Sequence, residues 1–220
     1  MINQHIKPVL SFALVLFGCI NPLYEEDIEE FNHMRTKEEM MNYFSKNKDN
    51  LEPIEGLWTL GVIRTLYVYD IKVVTESEPN RMGLAVIKEG DLFRIYNVNG
   101  DPISFIASFT QTDESGIYGY KCYFTDTKDM VSTTAKLFGN SMLKYEYDAP
   151  KGIMMNYYYK AGPYKEEVKR IIEDENIRLN WKFAWTKYIQ NDPGALELPS
   201  VLLIENALHE VYGGIQNEDE

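Results

Sequence analysis

Ile103-Ser104-Phe105-Ile106-Ala107-Ser108-Phe109 and Tyr118-Gly119-Tyr120-Lys121-Cys122-Tyr123-Phe124 decide the fold. In the first stretch Ile103, Phe105, Ala107 and Phe109 share one face, while Ser104 and Ser108 share the other. In the second, Tyr118, Tyr120, Cys122 and Phe124 alternate with Gly119, Lys121 and Tyr123. Leu143, Tyr145 and Tyr147 repeat the pattern against Lys144 and Glu146. Period-two alternation puts successive side chains on opposite sides of a strand, so these are strands with one buried face and one wet face.

Turn signals punctuate the same region. Glu89-Gly90, Asn99-Gly100, Glu114-Ser115-Gly116, Gly139-Asn140 and Lys151-Gly152 recur at intervals of roughly 10–15 residues, the rhythm of an antiparallel meander. The meander is expected to run from Glu55 to Tyr159, with Tyr157-Tyr158-Tyr159 pointing to both faces of its last strand. One more strand is predicted from about Ile177 to Ile189, carrying Trp181, Phe183 and Trp185 on one side and closed by Asn191-Asp192-Pro193-Gly194. Eight or nine antiparallel strands must hide their edges, and closing into a barrel removes them. The predicted class is therefore mainly β, an antiparallel meander closed into a barrel of eight or nine strands. A two-sheet sandwich is the alternative.

Three helices flank the strands. Thr36-Lys37-Glu38-Glu39 reads as a capping box, followed by Met40, Met41 and Phe44 on the apolar face of a helix ending near Asn47. Before the last strand, Tyr164, Val168, Ile171 and Ile172 fall on one helical face after Pro163. Ser200 to Tyr212 reads as a terminal helix ending at Gly213-Gly214.

The N-terminus reads as an address. Lys7 precedes an apolar run from Val9 to Phe17, too short to span a bilayer, which needs about 20 apolar residues. Leu16-Phe17-Gly18-Cys19 resembles the lipobox of bacterial lipoproteins. That resemblance implies cleavage before Cys19, diacylation of its sulfur and residence in the cell envelope, as an outer-membrane lipoprotein facing the periplasm or the cell surface. Without the lipobox chemistry, the segment is a plain signal peptide and Cys19 is incidental. Glu25-Glu26-Asp27-Ile28-Glu29-Glu30 then reads as a solvated tether. The expected organisation is a signal (1–18), a lipidated acidic tether (19–35), a barrel domain (36–190), a helical extension (191–214) and a disordered acidic tail (215–220).

The 220 residues carry 34 acidic and 22 basic side chains, a formal charge of −12. Nucleic-acid binding needs a basic stripe and is excluded as a class on this balance. Two cysteines exclude a disulfide-stapled scaffold. Of three histidines, His5 and His33 precede the folded part, leaving His209 alone, so no Ser-His-Asp or Cys-His device and no zinc spacing is legible. Asp113-Glu114 and Asp126/Asp129 read as turn-forming surface acids. No catalytic residue, metal site or cofactor is expected, and the reading is of a monomer that is not an enzyme.

Pro53-Ile54-Glu55-Gly56-Leu57-Trp58-Thr59 opens the first strand after a short helix. Gly56-x-Trp58 in that position resembles the first signature of lipocalins and related calycin barrels. The stretch from Pro53 to Gln190 is also similar to small secreted proteins of Bacteroidota, which begin with a Glu-Gly-(Ile/Leu)-Trp segment and end with an aromatic-Trp-x-Lys strand. The lipocalin resemblance implies that Trp58 plugs one end of the barrel. It also implies that a basic residue of the last strand lies across the indole, here Lys187 of Trp185-Thr186-Lys187. Thr125-Asp126-Thr127 lacks the tyrosine of the second lipocalin signature, and the helix before the last strand departs from that family. An ordinary core role for Trp58 stays open.

Aromatic residues are the enriched feature, with 16 Tyr, 10 Phe and 3 Trp. Phe105, Tyr120, Phe124, Tyr145 and Trp185 are the candidate lining of a cavity for a small apolar or amphipathic ligand. A solid aromatic core is the other reading of the same residues. A void of about 300 Å³ or more would mark a carrier. A filled barrel with exposed coplanar aromatics would mark an interaction module for a glycan or another envelope protein.

Overall fold

The structure is a computed structural model that describes residues 35–159, 169–170, 172–173 and 176–188. The lipobox with Cys19, the acidic tether, the helix after Pro163 up to residue 168 and the helix from Ser200 to Tyr212 lie outside the described residues. Among the described residues no helix is long and apolar enough to cross a membrane.

Helix α1 (Lys37–Asn47) starts at the predicted capping box: Thr36 Oγ1 accepts from the Glu39 amide at 3.2 Å, and Glu39 Oε2 accepts from the Thr36 amide at 2.8 Å. Eight strands follow: β1 (Gly56–Val68), β2 (Ile71–Glu89), β3 (Leu92–Asn97), β4 (Phe105–Gln111), β5 (Ile117–Phe124), β6 (Met130–Phe138), β7 (Met142–Asp148) and β8 (Ile177–Lys187). Helix α2 (Lys151–Tyr159) lies between β7 and β8. Every strand pairs antiparallel with its sequence neighbour, and β8 returns to β1, so the sheet is a closed barrel in meander order. The closing ladder runs from Trp58 opposite Lys187 to Val68 opposite Ile177.

Inside, the even-numbered residues Trp58, Leu60 and Val62 of β1 meet Phe183 and Trp185 of β8, Phe109 of β4 and Tyr120 of β5 in one core. Outside, α1 lays Met40 and Phe44 on Leu57, Ala85, Ile87 and Tyr96 of β1, β2 and β3. With both faces covered, the start of β1 is continuously buried and shows no alternation. A third cluster joins Met154 of α2 to Ala149, Ile172, Ile177 and Leu179.

Two expectations are corrected. Lys151-Gly152 is the first turn of α2 rather than a hairpin turn, and Tyr157-Tyr158-Tyr159 continues that helix rather than forming a strand. Aromatic β-propensity is a weak, context-dependent preference. Here burial of Ile153 and Met154 against the barrel and its end cluster outweighs it. A helix over Lys151–Tyr159 therefore stands ahead of the segment predicted from Pro163. No expectation bore on β2, which spans Ile71–Glu89 and includes Glu76-Ser77-Glu78-Pro79. It turns out of β1 through Tyr69 and Asp70, both at positive φ (50° and 62°). No glycine or asparagine marks that turn.

Candidate functional site

The two ends of the barrel differ. At the end where β1 begins and β8 finishes, Trp58 is fully buried and its indole Nε1 donates to the Ile54 carbonyl at 3.0 Å. Lys187 Nζ sits 5.2 Å from the Trp58 ring centroid and donates to the Pro53 carbonyl at 2.8 Å. Burial lowers the Lys187 ammonium from its ordinary range, and the nearby Glu55 carboxylate partly opposes this. Gly56 makes room for the arrangement: its φ is +139°, and a Cβ there would stand 2.6 Å from Lys187 Cε. Thus the spacing Gly-x-Trp has a local cause. The glycine admits the lysine stem, and two residues later the indole faces inward beneath it.

Glu55 holds this closure to α1. It is 2% exposed and accepts from the Tyr43 hydroxyl (2.5 Å), the Glu52 amide (2.9 Å) and the Lys88 amide (2.9 Å). Burial, then the Glu55 carboxylate, pushes the Tyr43 hydroxyl up to about 12. The sequence reading passed over this buried acid. Its partners are 3, 12 and 33 residues away, and only its place directly before the Gly-x-Trp strand could have singled it out.

At the opposite end lies a cavity of about 180 Å³. Phe105, Tyr120, Phe124, Tyr145 and Trp185, named from the sequence, all line it. Tyr147, Trp181 and Phe183 add to the wall, together with Cys122, Ser104 and Ile153. Register explains the grouping. Tyr145 pairs with Phe183 and Tyr147 with Trp181 across the β7–β8 ladder, so their rings share the inner face. On β6, between β5 and β7, Val131 and Ala135 are buried in the core and Thr133 stands opposite Tyr120, and over these small side chains Tyr120 reaches Tyr145. The rings of Tyr120 and Tyr145 stack at 4.4 Å and 29°, Tyr145 and Phe183 at 4.8 Å and 22°, and Tyr147 and Phe183 at 5.2 Å and 29°. Trp185 Nε1 donates to the Tyr145 hydroxyl at 3.1 Å, tying the foot of this stack to the core beneath.

The wall stays uncharged at neutral pH. Burial, followed by neighbouring groups, pushes the Tyr120 and Tyr147 hydroxyls well above the ordinary phenol range. Burial pushes the Cys122 thiol up to about 12, opposed by a hydrogen bond with Tyr120, so the thiolate needed for a nucleophile or a soft ligand is suppressed. Among the described residues no three metal-ligating side chains cluster.

Charge enters only at the mouth, through Arg81 and Asp126. The β1–β2 register jumps between Leu60 opposite Met82 and Val62 opposite Glu78, which leaves Pro79-Asn80-Arg81 as a bulge. Such a bulge accommodates proline and re-aims a side chain, here Arg81 into the cavity. Arg81 Nη1 pairs with Glu78 at 2.6 Å, Glu78 also pairs with Arg64, and Arg64 lies 3.6 Å from Glu76. Burial would raise the Glu78 carboxyl, but the guanidiniums of Arg64 and Arg81 overcome it and hold that carboxyl below its ordinary range.

Against known proteins, no family model, curated protein or solved structure matches this chain.

The sequence-derived residues thus fall into two groups. Trp58 and Lys187 meet at the closed end, and the five aromatics line the well at the other. Cys19 lies outside the described residues. Trp181, Phe183 and Tyr147 were legible as inward-facing but not as cavity wall. Arg81 was not legible at all, because its aim depends on a bulge.

Proposed function

We propose that this protein is a non-enzymatic binding protein whose barrel holds a small apolar or amphipathic molecule, anchored to the cell envelope by lipid on Cys19. The observation that carries the ligand part is the aromatic well of about 180 Å³, open at one end of a barrel whose other end is closed by Trp58. Apolar walls with a few hydroxyls and a charged mouth are the composition of small-molecule sites. The volume lies below the range of about 300 Å³ upward that encloses drug-sized ligands. The ligand is accordingly small, or leaves its polar end outside. The lipid anchor rests on Leu16-Phe17-Gly18-Cys19, and the lipocalin-like resemblance at Gly56-x-Trp58 supports carriage.

The alternative, a filled barrel that binds a glycan or protein through exposed aromatics, has less support. The exposed aromatics among the described residues are Tyr69 and Phe138, which sit on hairpins at opposite ends of the barrel and form no common platform. Native mass spectrometry of protein purified from its own host tests the proposal. A retained small molecule supports carriage, and a bare polypeptide mass under gentle conditions counts against it.

A further inference from the structure

The mouth and the wall of the well together narrow the ligand class. The inference rests on the cavity being a binding site and specifies what it binds.

Size comes first. An apolar protein cavity of about 150 Å³ takes up benzene, so about 180 Å³ suits one aromatic ring and is too small for a long chain or a fused polycycle. Shape comes second. Tyr145, Tyr147 and Phe183 present near-parallel rings, with interplanar angles of 13° to 29°, and a flat guest can continue such a stack. Charge comes third. The Arg81 guanidinium is already paired with Glu78, which is itself shared with Arg64. Asp126 lines the cavity and makes no hydrogen bond or ion pair among the described residues. Of the two charged side chains that line the cavity, Arg81 thus has an acidic partner and Asp126 has no basic one among the described residues. That leaves an unpaired carboxylate at the mouth, in a protein whose formal charge is −12. Both the near and the far field favour a cation. The electron-rich faces of tyrosine and tryptophan around the same opening favour one too.

We infer that the well accepts a single-ring arylalkylamine, its ring continuing the Tyr145–Phe183–Tyr147 stack and its ammonium at the Asp126 carboxylate.

The test uses the full-length chain at pH 7 with three probes of similar size: 2-phenylethylamine, 2-phenylethanol and 3-phenylpropionate. Binding is read by calorimetry and by the fluorescence of Trp181 and Trp185, which line the site. The amine is expected to bind about tenfold more tightly than the alcohol, the combined effect of an ion pair and cation–π contact at a partly open mouth, and the carboxylate least tightly. Asp126→Asn should bring the amine to the level of the alcohol. Asp126→Lys should make 3-phenylpropionate the preferred probe. If the alcohol binds as tightly as the amine, or if neither variant alters the order, the amine assignment is overturned while the cavity remains a binding site. If only a long-chain probe such as decanoate binds, the assignment of ring and amine falls with it. If no probe binds, the proposed function fails as well.

Discussion

Replacing Gly56 with alanine probes the closed end of the barrel at its tightest point. Two costs follow from the structure. At φ +139° a residue with a side chain is strained, and such strain costs of order 1–3 kcal/mol. The new methyl would also stand 2.6 Å from Lys187 Cε, so the lysine stem must leave. Leaving breaks the 2.8 Å hydrogen bond to the Pro53 carbonyl and removes the ammonium from the Trp58 face. Those losses are worth about 1 kcal/mol each at a partly exposed site. The expected total is about 3–5 kcal/mol, read as a lower urea midpoint with an unchanged slope. The decisive comparison is a double-mutant cycle with Lys187→Ala. Without the lysine the methyl meets no stem, and Gly56→Ala should cost only its backbone strain. The two changes should therefore couple by about 2 kcal/mol, well beyond the few tenths seen for independent sites. Additive costs would refute the view that this glycine exists to admit the lysine.

Further outcomes follow from the same contacts. Tyr145→Phe removes the acceptor of the buried Trp185 indole N–H, and the unpaired donor should cost about 1–3 kcal/mol in chemical denaturation. The Tyr43 and Tyr96 hydroxyls are both pushed up to about 12, by burial first and then by Glu55 and Glu89 respectively. An unfolded tyrosine ionises near 10, so their contribution is complete below about pH 10 and is lost as pH rises through about 12. Melting temperature should therefore fall across that window, and the fall should be shallower in Tyr43→Phe and Tyr96→Phe; parallel curves would contradict the assignment. Cys19→Ser should abolish labelling by a fatty-acid analogue and release the protein into the soluble fraction. A variant that stays membrane-bound would show that the sequence before the tether is not a lipobox.

What was legible in the sequence had local causes. The capping box at Thr36 needs only Glu39, three residues on. The inward faces of β4, β5, β7 and β8 follow from alternation in the sequence; β5 and β7 have one wetter side, while in β4 and β8 Ser108, Asn180 and Ala184 of the other face are covered too. From them Phe105, Tyr120, Phe124, Tyr145 and Trp185 could be grouped before any strand was paired. What was not legible depended on pairing at a distance. The β2 strand carries Glu76, Glu78 and Pro79, poor strand formers, and exists because β1 supplies its ladder. Its turn uses Tyr69 and Asp70 at positive φ, so the usual glycine or asparagine signal is missing. Arg81 reaches the mouth through a bulge that only the β1 register reveals. Helix α2 follows the burial of Ile153 and Met154 rather than the strand preference of the tyrosines after them. Arg64 and Glu55, both buried, find partners 14 and 33 residues away that no local pattern announces.

The central claim is that a barrel stoppered at Trp58 opens at its other end into a well able to seat one small ring. Anomalous diffraction from a crystal soaked in 4-bromobenzyl alcohol tests it most directly. The account predicts a single strong bromine peak among Tyr145, Tyr147 and Phe183, with β1 and β8 still paired and Lys187 still over Trp58. No peak there at saturating concentration, with side chains filling the space instead, would contradict it.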